Sequence, residues 1–219
     1  MEDALLLSLK LSLLTTLFLL FISFGIAYAL AFLSFPGKGV VEVLVLLPII
    51  LPPTVLGFYL LSIFNRESPI GSLIETLFGK SLLFSFEGLL VASLVYSLPF
   101  GVFPIRDAFQ SIHRRHIEIA YVFGYSKYET LMRVILPQSW GGILTACALV
   151  FAHTMGEFGV VLMVGGNIPG ETQTLSIYIY DEVQSLNYLE AHRASLVLLL
   201  VSFISLSIVS FLRKRWTLS

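Results

Sequence analysis

The chain has 219 residues, of which 57% are hydrophobic and 12% charged, and its mean hydropathy is +0.90. Soluble domains are nearer a quarter charged, so this composition excludes a globular protein and indicates an integral membrane protein. The net charge of −1 gives no basic signature for nucleic acid, and we expect no such partner.

Five apolar segments are each long enough to cross a bilayer, which takes about 20 helical residues. Because backbone groups in lipid must bond to one another, we expect all five to be helices. No linker is long enough to separate two domains, so residues 1–219 are predicted to form a single all-α transmembrane domain. The predicted spans cover residues 5–33, 41–64, 87–106, 140–164 and 194–212.

The second predicted span contains three prolines in the run LPIILPPTVLGFYLL, at positions 48, 52 and 53. Proline removes a backbone N–H and kinks a helix. In a membrane such a break survives where neighbouring helices or a water-filled cavity satisfy the freed carbonyl groups. The prolines therefore indicate either a packing kink or a helix bent to line a pathway.

The connection after this span predicts a short amphipathic helix. Ser68 is a capping residue, Pro69 suits the first helical position, and Gly79 ends the helix. We expect the helix to lie at the outer membrane surface or to pack on the bundle. Its apolar residues recur at helical spacing, at Ile70, Leu73, Ile74, Leu77 and Phe78.

Lysine and arginine in the connections predict the orientation, because cytoplasmic loops carry an excess of both. Nine fall on one side of the membrane and four on the other, so the nine-rich side is predicted to be cytoplasmic. Five spans then place the N-terminus outside and the C-terminus inside. The nine are Lys38, Arg106, Arg114, Arg115, Lys127, Arg133, Arg213, Lys214 and Arg215, and the four are Lys10, Arg66, Lys80 and Arg193.

Residues 112–137, the polar hairpin, are an island of charge and glycine between the third and fourth spans. They predict a helix–turn–helix, in which Gly124 stands where a left-handed glycine ends the first helix. Two solvated surface helices are the alternative that secondary structure alone favours. The residues predicted to share the apolar face of the first helix are Ile112, Ile119, Ala120 and Phe123.

The second helix of the polar hairpin has its own start signal. Ser126 and Glu129 fit a capping box, in which the serine bonds the amide three residues on and the glutamate reaches back. This predicts a helix over about residues 127–135. Pro137 is expected to mark the boundary between this helix and the fourth span.

The spacing within the polar hairpin resembles the EAA loop of the ABC importer permeases, whose pattern is E-A-A, three residues, G, nine residues and I-x-L-P. Two positions depart from it, since Ile119 replaces the usual alanine and Val134 the usual isoleucine. The resemblance implies a coupling helix that docks in a groove of a separate ATP-hydrolysing subunit and follows its rigid-body motion. The residues with this implied coupling role are Glu118, Ala120, Gly124, Val134, Leu136 and Pro137.

Motifs along the rest of the chain resemble the molybdate permeases of this family, which implies the type I ABC importer permease architecture. The sulfate and thiosulfate permeases share several of them, including the last two. The short first outer loop and the compact length favour molybdate or tungstate over sulfate. The motifs are LSLK in the first span, FPGK at 35–38, LPIILPPTVLGFYLL in the second span, GEFG at 156–159 and NIPGETQT at 167–174.

The resemblance also implies a setting and a set of partners. We expect a homodimer in the bacterial or archaeal cytoplasmic (inner) membrane, two ATP-binding subunits docked on the polar hairpin, and an external oxyanion-binding protein. The sequence has no G-x-x-x-x-G-K-[ST] phosphate loop, so ATP and Mg are expected on the partner and no cofactor or catalytic group in this chain.

Glu157 is the one acidic residue deep in a predicted span, where an ionised side chain costs about 2.5–3.5 kcal/mol. His153 lies four residues earlier, on the same predicted helical face, and Gly156 and Gly159 allow close helix approach. Because a carboxylate repels an oxyanion, a structural or gating hydrogen bond is favoured over substrate contact. Further pathway candidates, with turn or packing roles as the alternative, are Thr54, Asn167, Thr172 and Thr174.

The histidines of the polar hairpin and the single cysteine do not indicate a functional site. His113, His116 and Glu118 lie on a charged loop without the spacing of a known metal motif, so we expect no metal site. Cys147 is expected to be an inert packing residue.

Two functions of other classes stay open at this point. One is an intramembrane enzyme using His153 and Glu157, which lacks a paired nucleophile or a further ligand. The other is a self-sufficient channel. Neither has a use for the polar hairpin.

Overall fold

The computed structural model describes residues 1–217, apart from the side chains of residue 78 and residues 213–217. The side chains of Phe78, Arg213, Lys214 and Arg215, which enter the predicted apolar face and the predicted orientation, lie outside the described part. Within it the chain forms eleven α-helices, one π-helical turn and no strand. The elements are α1 (Glu2–Phe32), α2 (Lys38–Ile50), α3 (Pro53–Phe64), α4 (Pro69–Phe78), α5 (Phe86–Ser111), α6 (Arg114–Val122), α7 (Lys127–Thr130), the π-turn (Leu131–Ile135), α8 (Leu136–Gly156), α9 (Gly159–Gly165), α10 (Leu175–Gln184) and α11 (Tyr188–Thr217).

Four stretches of helix are long and apolar enough to cross a membrane: α1, α5, the continuous stretch Lys127–Gly156, and residues Tyr188–Leu212 of α11. Helices α2 and α3 reach that length only together, and they are bent by 111° at the residues between them. The predicted number of five spans therefore depends on taking this bent pair as one broken span.

The sharp bend between α2 and α3, here called the elbow (residues 51–53), has a local chemical cause. Pro52 and Pro53 have no N–H, so the carbonyl groups of Pro48 and Ile49 lose their helical donors. Pro53 then opens α3 at the first helical position, where proline is favourable. The sequence predicted one kinked helix over residues 41–64. The structure has two separate helices there, α2 and α3, joined at the elbow.

A second break interrupts the predicted fourth span. Helix α8 ends at Gly156, Glu157 takes an extended backbone with ψ 133°, and the short α9 begins at Gly159. The prediction of one helix over residues 140–164 was wrong at this point. We call residues 157–158 the second break.

Helices α1, α5 and α8 pack side by side at the centre of the bundle. Helix α11 packs against α8 and α10, and α3 packs against α9. At the end of the bundle that carries the polar hairpin, the C-terminal halves of α1 and α5 meet the π-turn and the start of α8. The buried apolar residues of this lower cluster are Ala27, Leu30, Val45, Val102, Ile105, Phe109, Ile135, Ile143 and Ala146.

Helix α4 has the ends predicted from sequence. Ser68 Oγ accepts a hydrogen bond from the Gly71 amide at 2.8 Å, and Gly79 ends the helix with a φ of +72°. The apolar side chains of Ile70, Leu73 and Leu77 are exposed within this chain. The helix therefore turns its apolar face away from the bundle.

Candidate functional site

The first helix of the polar hairpin, α6, ends in a glycine turn that satisfies its last carbonyl groups. Gly124 has a φ of +82°, a left-handed conformation that favours glycine. The Gly124 amide donates to the Tyr121 carbonyl and the Tyr125 amide donates to the Ala120 carbonyl, both at 3.0 Å. These two bonds form a Schellman motif, as the position of the glycine predicts.

The second helix begins with the predicted capping box. The Glu129 amide donates to Ser126 Oγ at 3.2 Å, and the Ser126 amide donates to Glu129 Oε2 at 2.9 Å. The predicted end near residue 135 is not a helix end, because α7, the π-turn and α8 follow one another without a gap. The second half of the hairpin is thus the first part of a membrane-spanning helix.

The surface of the polar hairpin splits the predicted apolar face in two. Ala120 is only 4% exposed and faces inward. By contrast Val122 is 85% exposed, Phe123 77% and Tyr128 67%, and Ile119 is also exposed. Exposed clusters of apolar side chains mark surfaces that bind another protein or the membrane. We call Ile119, Val122, Phe123 and Tyr128 the apolar tip.

The base of the polar hairpin is packed firmly onto the bundle. Ile112 and Ile117 contact the lower cluster, as do Leu131 and Leu136 around the π-turn. Within that cluster the Phe109 ring lies 5.4 Å from Phe24 of α1, centroid to centroid, in an edge-to-face arrangement. The base of the polar hairpin therefore packs against the cluster in which α1, α5 and α8 meet.

The other positions of the EAA resemblance lie on α6, in the π-turn and at the start of α8. Glu118 is exposed and pairs with Arg114 at 3.6 Å across one helical turn, a pair that contributes little to stability because both groups are solvated. Val134 is half-buried within the π-turn, and Pro137 is exposed at the start of α8. The carboxylate of Glu118 is thus accessible to a partner.

At the second break, Glu157 bonds to protein groups on two sides. Its side chain is buried, since the residue is 7% exposed, and Oε1 accepts the Val160 amide at 2.7 Å. Its carbonyl oxygen accepts the hydroxyl of Ser176, which lies on α10. Glu157 therefore caps α9 and ties the break to α10.

His153 lies one turn earlier in a separate polar contact. Its Nδ1 lies 2.9 Å from the hydroxyl of Ser97 on α5, and that hydroxyl lies 3.1 Å from Thr154 Oγ1. The rings of Tyr96 and Phe100 lie 4.7 and 4.2 Å from the imidazole, centroid to centroid. The shared helical face predicted for His153 and Glu157 was wrong, because α8 ends before residue 157.

The two breaks lie side by side. A Cβ added to Gly159 would come within 2.7 Å of Pro53 Cβ, so this glycine lets α9 approach the elbow. Gly156 has open space around it, so the predicted close approach holds only for Gly159. Thr54, directly after the elbow, is exposed within this chain.

Asn167 and Thr172 belong to the turn between α9 and α10. Thr172 is fully buried and its hydroxyl donates to the Gly165 carbonyl at 2.7 Å. Asn167 Nδ2 donates to Asp181 Oδ2 at 2.5 Å, and Gln173 Nε2 donates to Asn167 Oδ1 at 2.9 Å. The structure does not bring these residues together with Thr54 or His153 in a described contact.

Sequence reasoning did not find Ser97 and Ser176, the partners of His153 and Glu157. Each lies far along the chain from the residue that it bonds, so no local spacing signals it. Across residues 1–217 no three His, Cys, Asp or Glu side chains lie close enough to hold a metal ion. Cys147 is half-buried in α8.

These features define a helical membrane protein with broken spans and an exposed apolar tip at one end of its bundle. The chain matches the family "Binding-protein-dependent transport system inner membrane component" over residues 10–217, and it belongs to that family. It is therefore a multi-pass membrane permease component and not an enzyme, and the intramembrane-enzyme alternative fails.

Its sequence relatives carry more specific names. The chain is 45% identical to the molybdenum transport system permease protein ModB of Azotobacter vinelandii, over 91% of this chain and 88% of the relative. It is 33% identical to ModB of Escherichia coli K12, over 98% and 92%. The sulfate transport system permease protein CysT of Synechocystis is 32% identical, over 86% of this chain and 66% of its own length.

Solved structures show the same fold. A bacterial ABC transporter involved in the import of the polysaccharide alginate matches with a TM-score of 0.78 at 17% identity, over 98% of this chain and 79% of that one. The inward-facing MetNI methionine ABC transporter matches with a TM-score of 0.76 at 14% identity, over 97% and 94%. The fold is that of the type I ABC importer permeases.

Proposed function

We propose that this chain forms the translocation pathway of an ATP-driven importer for a tetrahedral oxyanion, and that the anion is molybdate. The observation that carries the proposal is the 45% identity with a molybdenum permease over 91% of the chain, against 32% with a sulfate permease. Tungstate has the same shape and charge and is expected to share the route. Sulfate is the second candidate, because its permeases also match most of this chain.

The polar hairpin supports the coupling part of the proposal. Its apolar tip is exposed, while its base is packed onto α1, α5 and α8. A partner that binds the apolar tip can therefore move the bundle as a rigid body. We assign this partner as a separate ATP-hydrolysing subunit, one on each copy of the chain, which places the hairpin and the C-terminus in the cytoplasm and the N-terminus outside.

The elbow supports a second copy of the chain as the other half of the pathway. Broken helix ends inside a membrane are tolerated only where protein or a water-filled cavity covers them. Pro52, Pro53 and Thr54 are exposed within the single chain, as is the apolar surface of α2 before them. A second copy facing the elbow would cover this surface and enclose a pathway lined by Thr54.

The other candidate residues receive positioning roles in this scheme. Glu157 and Thr172 already bond backbone groups of their own chain, so they hold the second break and the following turn in shape. His153 takes a structural or gating role through Ser97. The turn at residues 166–174 lies on the outer side in this orientation. We assign it as a contact surface for the external oxyanion-binding protein.

The test is uptake into vesicles that hold the chain and an ATP-hydrolysing subunit, with the binding protein outside. Labelled molybdate, tungstate and sulfate are supplied one at a time at equal concentration, with and without internal ATP. We expect ATP-dependent accumulation of molybdate above that of sulfate. Accumulation of sulfate alone would overturn the assignment of the anion, and no accumulation of any oxyanion would overturn the function.

A further inference from the structure

The π-turn between the polar hairpin and α8 follows from the proline that ends the hairpin. Pro137 has no N–H to offer to the Arg133 carbonyl four residues earlier, so the regular α-helical ladder cannot continue there. Instead the Leu136 amide donates to the Leu131 carbonyl, five residues back. A π-turn is a place where a long helix bends. The helical hydrogen-bond pattern therefore changes between α7 and α8, and we call the π-turn at this point the joint.

Side-chain hydroxyl groups lie on both sides of this joint. The hydroxyl of Thr130, directly before the π-turn, is buried but makes no hydrogen bond within the described residues. Ser139 Oγ donates to the Ile135 carbonyl at 2.7 Å, so a side-chain bond supports the end of the turn. The backbone ladder alone does not fix the geometry of this segment.

One side chain spans the joint and reaches the other helix of the hairpin. Gln138, in the first turn of α8, donates from Nε2 to the Val134 carbonyl at 3.1 Å. Its Oε1 lies 2.9 Å from Nδ1 of His116 on α6. Because a carbonyl oxygen can only accept, His116 must donate from Nδ1. Gln138 thus uses both ends of its amide, one on the π-turn and one on α6.

This link connects α6 directly to α8, outside both the Gly124 turn and the π-turn. Along the chain towards α8, α6 is followed by the Gly124 turn and then by the π-turn, against which it also packs. Through His116 and Gln138, α6 contacts the first turn of α8 directly. We propose that Gln138 is a positioning residue that makes α6 and α8 move together when a partner displaces the apolar tip.

This inference rests on the proposed function, because it concerns the motion that ATP hydrolysis would drive. His116 and Gln138 are both exposed, and a hydrogen bond between exposed groups contributes little to the stability of the fold. A purely structural role therefore predicts almost no effect of removing it. A positioning role predicts a hairpin that still docks and a partner that still hydrolyses ATP, with less movement of the bundle.

The test compares Gln138→Leu with wild type in the complete transporter in vesicles. Two quantities are measured: the rate of ATP hydrolysis and the number of molybdate ions accumulated per ATP. We expect the hydrolysis rate to change less than two-fold and the ions per ATP to fall about five-fold, a factor that corresponds to about 1 kcal/mol of lost coupling between α6 and α8. The matched control is Gln110→Leu, an exposed glutamine at the hairpin end of α5 with no described side-chain hydrogen bond.

The pairing of the two residues is tested on the His116 side. His116→Ala should reproduce the loss, while His116→Asn should restore most of it, because the asparagine amide can donate from nearly the same position as Nδ1. The double variant His116→Ala with Gln138→Leu should be no worse than either single variant. Additive losses, or ions per ATP equal to those of the control, would overturn this inference. Failure of the wild-type complex to transport would instead overturn the proposed function.

Discussion

The polar hairpin and the two helix breaks differ in where their backbone groups find partners. In the hairpin the partners are near neighbours, with a Schellman motif at Gly124 and a capping box at Ser126 and Glu129. At the second break one bond is local, from the Val160 amide to Glu157, but the break also depends on distant contacts, since Glu157 bonds Ser176 and Gly159 packs on Pro53. A segment closed by local bonds can present its side chains outward. A break closed by distant bonds depends on the packing of the whole bundle.

The difference in exposure follows from this. The apolar tip projects Val122 and Phe123 away from the bundle, whereas Glu157 is buried at the break. Changes at the tip should therefore affect binding of a partner and leave the fold intact. Changes at the break should affect the fold first.

The largest expected effect comes from a charge on the apolar tip. Phe123→Asp removes a side chain whose burial against a partner is worth about 3 kcal/mol, so the affinity of the ATP-hydrolysing subunit should fall on the order of a hundred-fold. Binding is measured with the chain in detergent or nanodiscs. The control, Leu189→Asp, alters a similarly exposed residue at the start of α11, and it should bind like wild type. Unchanged binding of Phe123→Asp would remove the tip from the interface.

A smaller effect, on folding, is expected at the second break. Glu157→Ala leaves the Val160 amide without its acceptor in a buried site, so the free energy of unfolding should fall by about 2 kcal/mol. Glu157→Gln keeps an acceptor oxygen and should retain both most of the stability and the dimer, as measured by thermal unfolding and size-exclusion chromatography. Glu171→Ala, at an exposed acid without a described side-chain bond, should be neutral. Equal losses in the Ala and Gln variants would show that the cap at α9 is not the reason.

The smallest effect is expected at the glycine turn. Gly124→Ala meets no neighbouring atom, so its cost is only that of a left-handed backbone, about 1 kcal/mol. Gly39→Ala lies in open space inside α2 without such a backbone, and it should stabilise the chain slightly because alanine favours helix. Thermal unfolding of both variants gives the comparison. A Gly124→Ala variant that is as stable as Gly39→Ala would contradict the turn geometry.

The parts of the fold that sequence predicts are those with local causes. The ends of α4 follow from Ser68, Pro69 and Gly79, and the glycine turn follows from Gly124, because each signal lies within a few residues of its effect. The prolines predict a break in the helix at the elbow. They do not set its angle of 111°, because that depends on how α3 packs against α9.

The parts that sequence missed depend on contacts between distant residues. GEFG contains no proline, and its two glycines do not by themselves fix a helix end, because the break is held by Ser176 and by the fit of Gly159 on Pro53. The apolar pattern of α6 likewise does not reveal that Ala120 faces inward while Phe123 faces outward. Hydrophobic spacing is the same for a face that packs on the bundle and one that awaits a partner.

The most direct test of the central claim, that this chain is a passive pathway driven through its polar hairpin, is molybdate accumulation by wild-type chain with and without the ATP-hydrolysing subunit. Vesicles hold the chain, ATP inside and the binding protein outside. Accumulation above the external concentration is predicted only when the subunit is present. Uphill accumulation by the chain without that subunit would contradict the account.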